Sequence, residues 1–154
     1  HTLNSMNLYL RKAAPDDSAD LARLSGQLGY QTSPAQMEAR LRLLLPNPDH
    51  HILVAVAGEK IAGWLHACLS ATVESDPWVE IAGLVVDETQ RGQGIGKQLV
   101  QEALNWASTK DVQKVRVRSN TKRTDAHRFY TNLAFLESKE QKVFDLILDK
   151  KQRR

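Results

Sequence analysis

The chain has 154 residues, 42% of them hydrophobic and 25% charged, with a formal net charge of +3 and a pI near 9.1. That length fits one domain able to bury a core without disulfides or metal staples. The single cysteine, Cys68, excludes an intrachain disulfide and points to a reducing, cytoplasmic setting. No apolar run reaches the ~18 residues a membrane helix needs, and the basic residues are not interleaved with aromatics on one face as nucleic-acid binding would ask.

"HTLNS" at 1–5 reads as a vector-derived leader ahead of a natural start at Met6, and "KKQRR" at 150–154 as a solvated basic tail, leaving one domain over 6–150. Leu8 and Leu10 alternate with Tyr9 and Arg11, which predicts a first strand. In "APDDSADLARLSGQLG", Leu21, Leu24 and Leu28 recur at helical spacing, Asp16 and Asp17 suit the helix start, and Gly29 suits its end. Ser33, Pro34 and Gln36 carry the signature of a capping box, so a second helix follows, with Leu41, Leu44 and Leu45 on its apolar face and "PNP" as its stop. "HILVAVAGEKIAGWLHACL" predicts a hairpin turning at Gly58–Lys60. A loop holding Asp76 and Pro77 leads to the strand "WVEIAGLVVD", then a glycine-rich loop, then a helix from about 94 to 108. "VQKVRVRS" alternates as a half-buried strand, "TDAHRFYTNLAF" is a short helix with Thr124 or Asp125 as cap, and "QKVFDLIL" is a last strand. Mixed hairpins and crossover helices make this an α+β domain with three layers and a mixed sheet.

Gly92, Gly94 and Gly96 stand between that strand and that helix, flanked by Arg91 and Lys97. Glycine lets the backbone take positive φ and approach a bulky anion, and the unpaired N–H groups of a first helical turn attract negative charge. A Walker loop is excluded, since only three residues separate Gly92 from Gly96 and Gln98 replaces the hydroxyl. A dinucleotide fingerprint is excluded as well, because its third glycine comes one residue early. A plain strand-to-helix turn would need one glycine, not three.

"LVVDETQRGQGIGKQLV" resembles the acetyl-coenzyme A signature of the GNAT N-acetyltransferase superfamily, whose core is Arg/Gln-x-x-Gly-x-Gly/Ala; Arg91, Gly94 and Gly96 occupy it. "NTKRTDAHRFYTNLAF", from Asn120 to Phe135, resembles the asparagine-to-"A-x-x-F-Y-x-x-x-G-F" segment of that superfamily, and is similar to the corresponding stretch of aminoalkylphosphonate and other small-molecule N-acetyltransferases. The resemblance implies the three-layer acyl-CoA N-acyltransferase fold, with a mixed, mostly antiparallel sheet. It also implies acetyl-coenzyme A as cosubstrate. Leu84, Val85 and Val86 would pair with the pantetheine arm like an added strand. The amides of Arg91, Gly92, Gln93, Gly94, Ile95, Gly96 and Lys97 would cradle the pyrophosphate. Asn120 would contact the cofactor arm, and Tyr130 would sit near the thioester sulfur. One departure is Ala134, where the pattern has glycine; alanine in the left-handed conformation would cost about 1 kcal/mol.

Acetyl transfer to an amine poses two proton problems. An alkylamine with a pKa near 10 is almost all protonated at pH 7 and must lose a proton to attack. Glu80 is the only acid in "WVEIAGLVV" and is the candidate base; strand alternation puts it on one face with Leu84. The alternative for Glu80 is a surface ion pair. The departing thiolate needs a proton, for which Tyr130 is the candidate donor, and a backbone N–H near Val85 would meet the oxyanion. Tyr30, Trp64, His66 and Trp78 are candidates to shape the acceptor pocket. Asp49-His50-His51 reads as a solvated loop, and no metal site is expected. The expected acceptor is a small-molecule primary amine. A protein N-terminus or lysine acceptor, and a non-catalytic coenzyme A binder, stay open. Dimers are common in the superfamily, and the last strand is the expected contact.

Overall fold

The computed structural model describes residues 7–119 and 123–148. They fall in two compact units, His1–Arg118 and Ser119–Arg154. The first unit is built on a sheet of five strands in chain order: β1 (Leu8–Lys12), β2 (His50–Ala57), β3 (Lys60–Thr72), β4 (Ser75–Val86) and β5 (Val115–Val117). Neighbours pair antiparallel except β4 and β5, which are parallel. A parallel step demands a crossover, and α3 (Ile95–Ser108) supplies it. α1 (Ser18–Gln27) and α2 (Pro34–Leu44) occupy the connection from β1 to β2.

The helices take opposite faces of the sheet. Leu21 and Leu24 of α1 and Met37 and Leu41 of α2 form one core with Ile52, Val54, Val56, Ile61 and Val85. On the other face α3 comes so close that a Cβ on Gly63 would lie 3.3 Å from Leu99 and 3.4 Å from Ile95. Leu24, Leu65, Leu99 and Val54 are fully buried, each contributing roughly 1.5–3 kcal/mol. This is the expected three-layer arrangement.

Local signals were accurate where the chain closes on itself. Ser33 Oγ accepts from the Gln36 amide at 3.1 Å while Gln36 Oε1 accepts from the Ser33 amide at 3.0 Å, the foreseen capping box. Gly29 takes φ 89° at the end of α1. A single 3₁₀ turn, Pro15–Asp17, precedes α1. There the buried Asp17 receives two bonds from Arg11, at 2.8 and 2.9 Å, and one from the Ala14 amide at 2.8 Å. Burial would raise its carboxyl pKa, but these donors hold it below the usual range.

Four expectations need correction. Asp76 and Pro77 lie inside β4 rather than in a loop; the register slips between Ser70 and Thr72, so a residue without an N–H interrupts no regular ladder there. β5 spans only Val115–Val117. In the second unit α4 (Thr124–Asn132) has Arg123 at its N-cap with no side-chain cap bond, so neither Thr124 nor Asp125 caps it. Residues 141–148 carry no strand assignment, and Val143, Phe144, Leu146, Ile147 and Leu148 are exposed. A strand exists only where a ladder partner does, and the five-stranded sheet of the described residues does not include 142–148.

Ala134 does take the left-handed conformation, φ 71°. The Phe135 amide donates to the Tyr130 carbonyl at 3.0 Å and the Ala134 amide to the Thr131 carbonyl at 3.1 Å. These two bonds are the Schellman ending that usually recruits glycine.

Candidate active site

The site grows from an irregularity in β4. Its register against β3 runs Trp64↔Val85, Leu65↔Leu84 and His66↔Gly83, then jumps to Ala67↔Ile81 and Cys68↔Glu80. Ala82 is the extra residue of a bulge. Residues directly opposite share a face, so Glu80 lies with Gly83 and Val85, and Leu84 faces the other way. The expectation that Glu80 and Leu84 share a face is therefore corrected; simple alternation fails by one residue at Ala82. The bulge has a second effect. β5 pairs with β4 only at Val79, Glu80 and Ile81. Beyond Ile81 the described residues give β4 no partner strand on that edge, which leaves Leu84–Val86 beside an open lane. Gly83 is needed here because a Cβ would come within 2.8 Å of the Trp64 ring.

After Val86 the chain is shaped by a residue the sequence reading passed over. Asp87 is 3% exposed. Its carboxylate accepts from the Thr89 amide at 3.1 Å, the Thr89 hydroxyl at 3.0 Å, Arg23 at 3.3 Å and Gln27 at 3.4 Å. The Thr89 amide is the main cause, ahead of opposing burial and the other donors, of a carboxyl pKa lowered to about 2. Asp87 thus ties the 3₁₀ turn Glu88–Gln90 to α1. The only sequence signal was an acid at the strand end. Gly92 and Gly94 follow with φ 80° and 82°, angles that L side chains resist. Gly94 is the N-cap of α3, and no side chain caps that end. The first-turn amides at Ile95, Gly96 and Lys97 are left for an anion, with the helix dipole behind them. Arg91 is exposed and donates through Nε to the Val86 carbonyl at 3.4 Å, while Lys97 is also exposed.

Glu80 is oriented from two sides. Trp78 Nε1 donates to one carboxylate oxygen at 3.2 Å and Arg118 Nε to the other at 3.1 Å, and the Glu80 side chain is 19% exposed. The ion pair anticipated as the alternative for Glu80 is thus present. Trp78 is buried, with Lys114 and Arg116 stacked against its indole at 5.5 and 5.0 Å, so it props Glu80 instead of lining an open pocket. Trp64 and His66 share the Glu80 face and are half-buried. Trp64 Nε1 is buried with no partner among the described residues. Burial, then the charge of His50, pushes the His66 pKa down to about 4, so its ring is neutral. Tyr30 stands apart in the α1–α2 connection, well exposed, and makes no ring contact with Trp64, His66 or Trp78 among the described residues. Asn120 lies outside the described residues.

The Asp49-His50-His51 stretch is not a solvated loop. β2 begins at His50, and alternation sends the two histidines to opposite faces. His51 stacks on Trp106 of α3 with ring centroids 5.1 Å apart, and His50 Nδ1 meets His66 Nε2 at 2.8 Å.

In the second unit Tyr130 lies on α4 between Phe129 and Phe135, edge-on to both. Burial, opposed by Arg123, raises its phenol pKa, so the hydroxyl stays protonated at neutral pH.

Residues 19–135 match the Acetyltransferase (GNAT) family, and the chain belongs to that family. It is 29% identical over 135 residues, 84% of this chain and 85% of the other, to the aminoalkylphosphonate N-acetyltransferase of Salmonella typhimurium. Its fold is similar to that of the aminoglycoside N-acetyltransferase AAC(6')-Iy in complex with CoA: TM-score 0.80, 18% identity, 90% of this chain and 94% of that one. The glucosamine-6-phosphate N-acetyltransferase from Arabidopsis thaliana superposes with TM-score 0.77 at 22% identity, over 90% and 99%. The protein is an acetyl-CoA-dependent N-acetyltransferase. No described helix is long and apolar enough to cross a membrane.

Proposed function

We propose that the protein moves the acetyl group of acetyl-CoA to the primary amine of a small molecule by direct attack. The amine nitrogen bonds to the thioester carbonyl carbon, the C–S bond breaks, Glu80 takes the amine proton directly or through water, and Tyr130 returns a proton to the thiolate. The carrying observation is the pinned carboxylate: Glu80, held by Trp78 and Arg118, faces the Gly83–Val85 side of a bulged strand with an open edge. Leu84, Val85 and Val86 pair with the pantetheine arm along that edge. The amides from Arg91 to Lys97 hold the pyrophosphate, Asn120 contacts the arm, and a backbone N–H near Val85 receives the oxyanion. A protonated Tyr130 suits an acid, although its raised pKa makes transfer to a thiolate of pKa about 8.5 uphill. Trp64 and His66 border the acceptor. The substrate class rests on the relatives' names, which specify small amines. The family match, residues 19–135, includes residues of both units.

We also infer a homodimer in which residues 143–148 contact a second copy, supported by five large apolar side chains exposed in that segment. Light scattering on the intact chain and on Phe144→Asp tests it: a dimer that the substitution splits is expected, and a monomeric parent would refute it.

The test of the main reading is thiol release from acetyl-CoA against aminoalkylphosphonates, aminoglycosides, polyamines, amino acids and short peptides. Release with one class of small amine is expected. Release only with peptides would favour a protein acceptor, and silence across the panel with acetyl-CoA still bound would favour a non-catalytic binder.

A further inference from the structure

Three donors that are far apart or differently directed in the sequence meet on the Glu80 face of the sheet. His50 opposes Cys68 across β2 and β3, and His66 stands two residues before Cys68 on the same face. One ring nitrogen each of His50 and His66 and the Cys68 Sγ all lie within 4.8 Å of one another. His50 Nδ1 and His66 Nε2 are 2.8 Å apart, and the rings stack with centroids 5.1 Å apart at 29°. All three residues are half-buried, so solvent ions reach them while the paired strands fix their backbones.

We propose that His50, His66 and Cys68 form a binding site for a single zinc ion, with the fourth coordination position open. Two imidazoles and a thiolate are a borderline-soft donor set, which suits zinc over magnesium or calcium. Tetrahedral zinc at ~2.0–2.1 Å from nitrogen and ~2.3 Å from sulfur sets its donors roughly 3.3–3.6 Å apart. That spacing falls between the 2.8 Å and 4.8 Å limits of this cluster, so rotamer adjustment is enough. Binding forms two Zn–N bonds and one Zn–S bond and sends the Cys68 thiol proton to solvent. Three protein ligands are the number that leaves a zinc ion one exchangeable position. Cys68 stands directly opposite Glu80, so the ion sits one strand away from that carboxylate.

The inference does not depend on the acceptor or on Glu80 chemistry, so it is tested on resting protein. The intact chain is stripped with a chelator and titrated with Co²⁺ as a spectroscopic probe, then with Zn²⁺ in competition. One equivalent should bind, with a thiolate-to-cobalt charge-transfer band that Cys68→Ser abolishes and an affinity that His66→Gln lowers at least tenfold. Because Cys68 is the sole cysteine, its alkylation rate needs no variant: one equivalent of Zn²⁺ should slow it at least tenfold in the parent chain. An unchanged alkylation rate, or cobalt bound without the thiolate band, would overturn the site.

Discussion

Replacing Asp87 by asparagine removes one charge and keeps the shape of the side chain. Asp87 is all but inaccessible, and its carboxylate accepts from the Thr89 amide and hydroxyl, Arg23 and Gln27. Folding lowers its pKa from 3.8 to about 2, which corresponds to about 2 kcal/mol of preference for the charged form in the folded chain. The folded value is the lower one. The stabilisation is therefore complete above the unfolded pKa of about 4 and fades as pH falls through the folded value near 2. Urea unfolding of the parent and Asp87→Asn at pH 6, 4, 3 and 2 checks this. Other carboxylates titrate in both proteins, so the difference between them isolates Asp87. That difference should be about 2 kcal/mol at pH 6 and shrink toward zero near pH 2. A difference that stays constant with pH would refute the claim that the charge of Asp87 holds the turn, and would leave only its shape.

Three further outcomes are expected. Ala134→Gly should stabilise the second unit by about 1 kcal/mol, since alanine there sits at φ 71° in a Schellman ending; a fall in Tm would contradict that strain. Gly94→Ala should raise the KM for acetyl-CoA, because φ 82° at the N-cap costs alanine about 1–2 kcal/mol and the loop must give way; an unchanged KM would show that the amides there do not hold the cofactor. Tyr130→Phe should lower kcat by roughly 10²–10⁴-fold if its hydroxyl donates the proton, and a kcat within twofold of the parent would remove it from the mechanism.

What could be read from the sequence follows the range of each interaction. The glycine loop, the Ser33–Gln36 capping box and the helical spacing of Leu21 and Leu24 all act within a few residues, so their patterns are local. Ala134 was legible as a departure, and the backbone angle there confirms the position it was suspected of holding. The bulge at Ala82 was not legible. It is a property of pairing between β3 and β4, and it moves Glu80 to the face opposite the one that alternation gives. His50, His66 and Cys68 were hidden for the same reason, since only the register of β2 against β3 brings them together. Asp87 draws two of its donors, Arg23 and Gln27, from α1, about 60 residues earlier in the chain. The unassigned segment at 141–148 shows the converse: an alternating apolar pattern expresses a tendency to pair, but the pairing itself needs another strand.

The most direct test of the central claim is the pH dependence of kcat/KM for acetyl transfer to the best amine of the panel, measured for the parent and for Glu80→Gln. A base that removes the amine proton predicts a loss of roughly 10²–10⁴-fold in the variant at neutral pH. It also predicts that the gap narrows as rising pH supplies free amine without help. Equal profiles for the two proteins would contradict the assignment and leave Glu80 as the ion-pair partner of Arg118 alone.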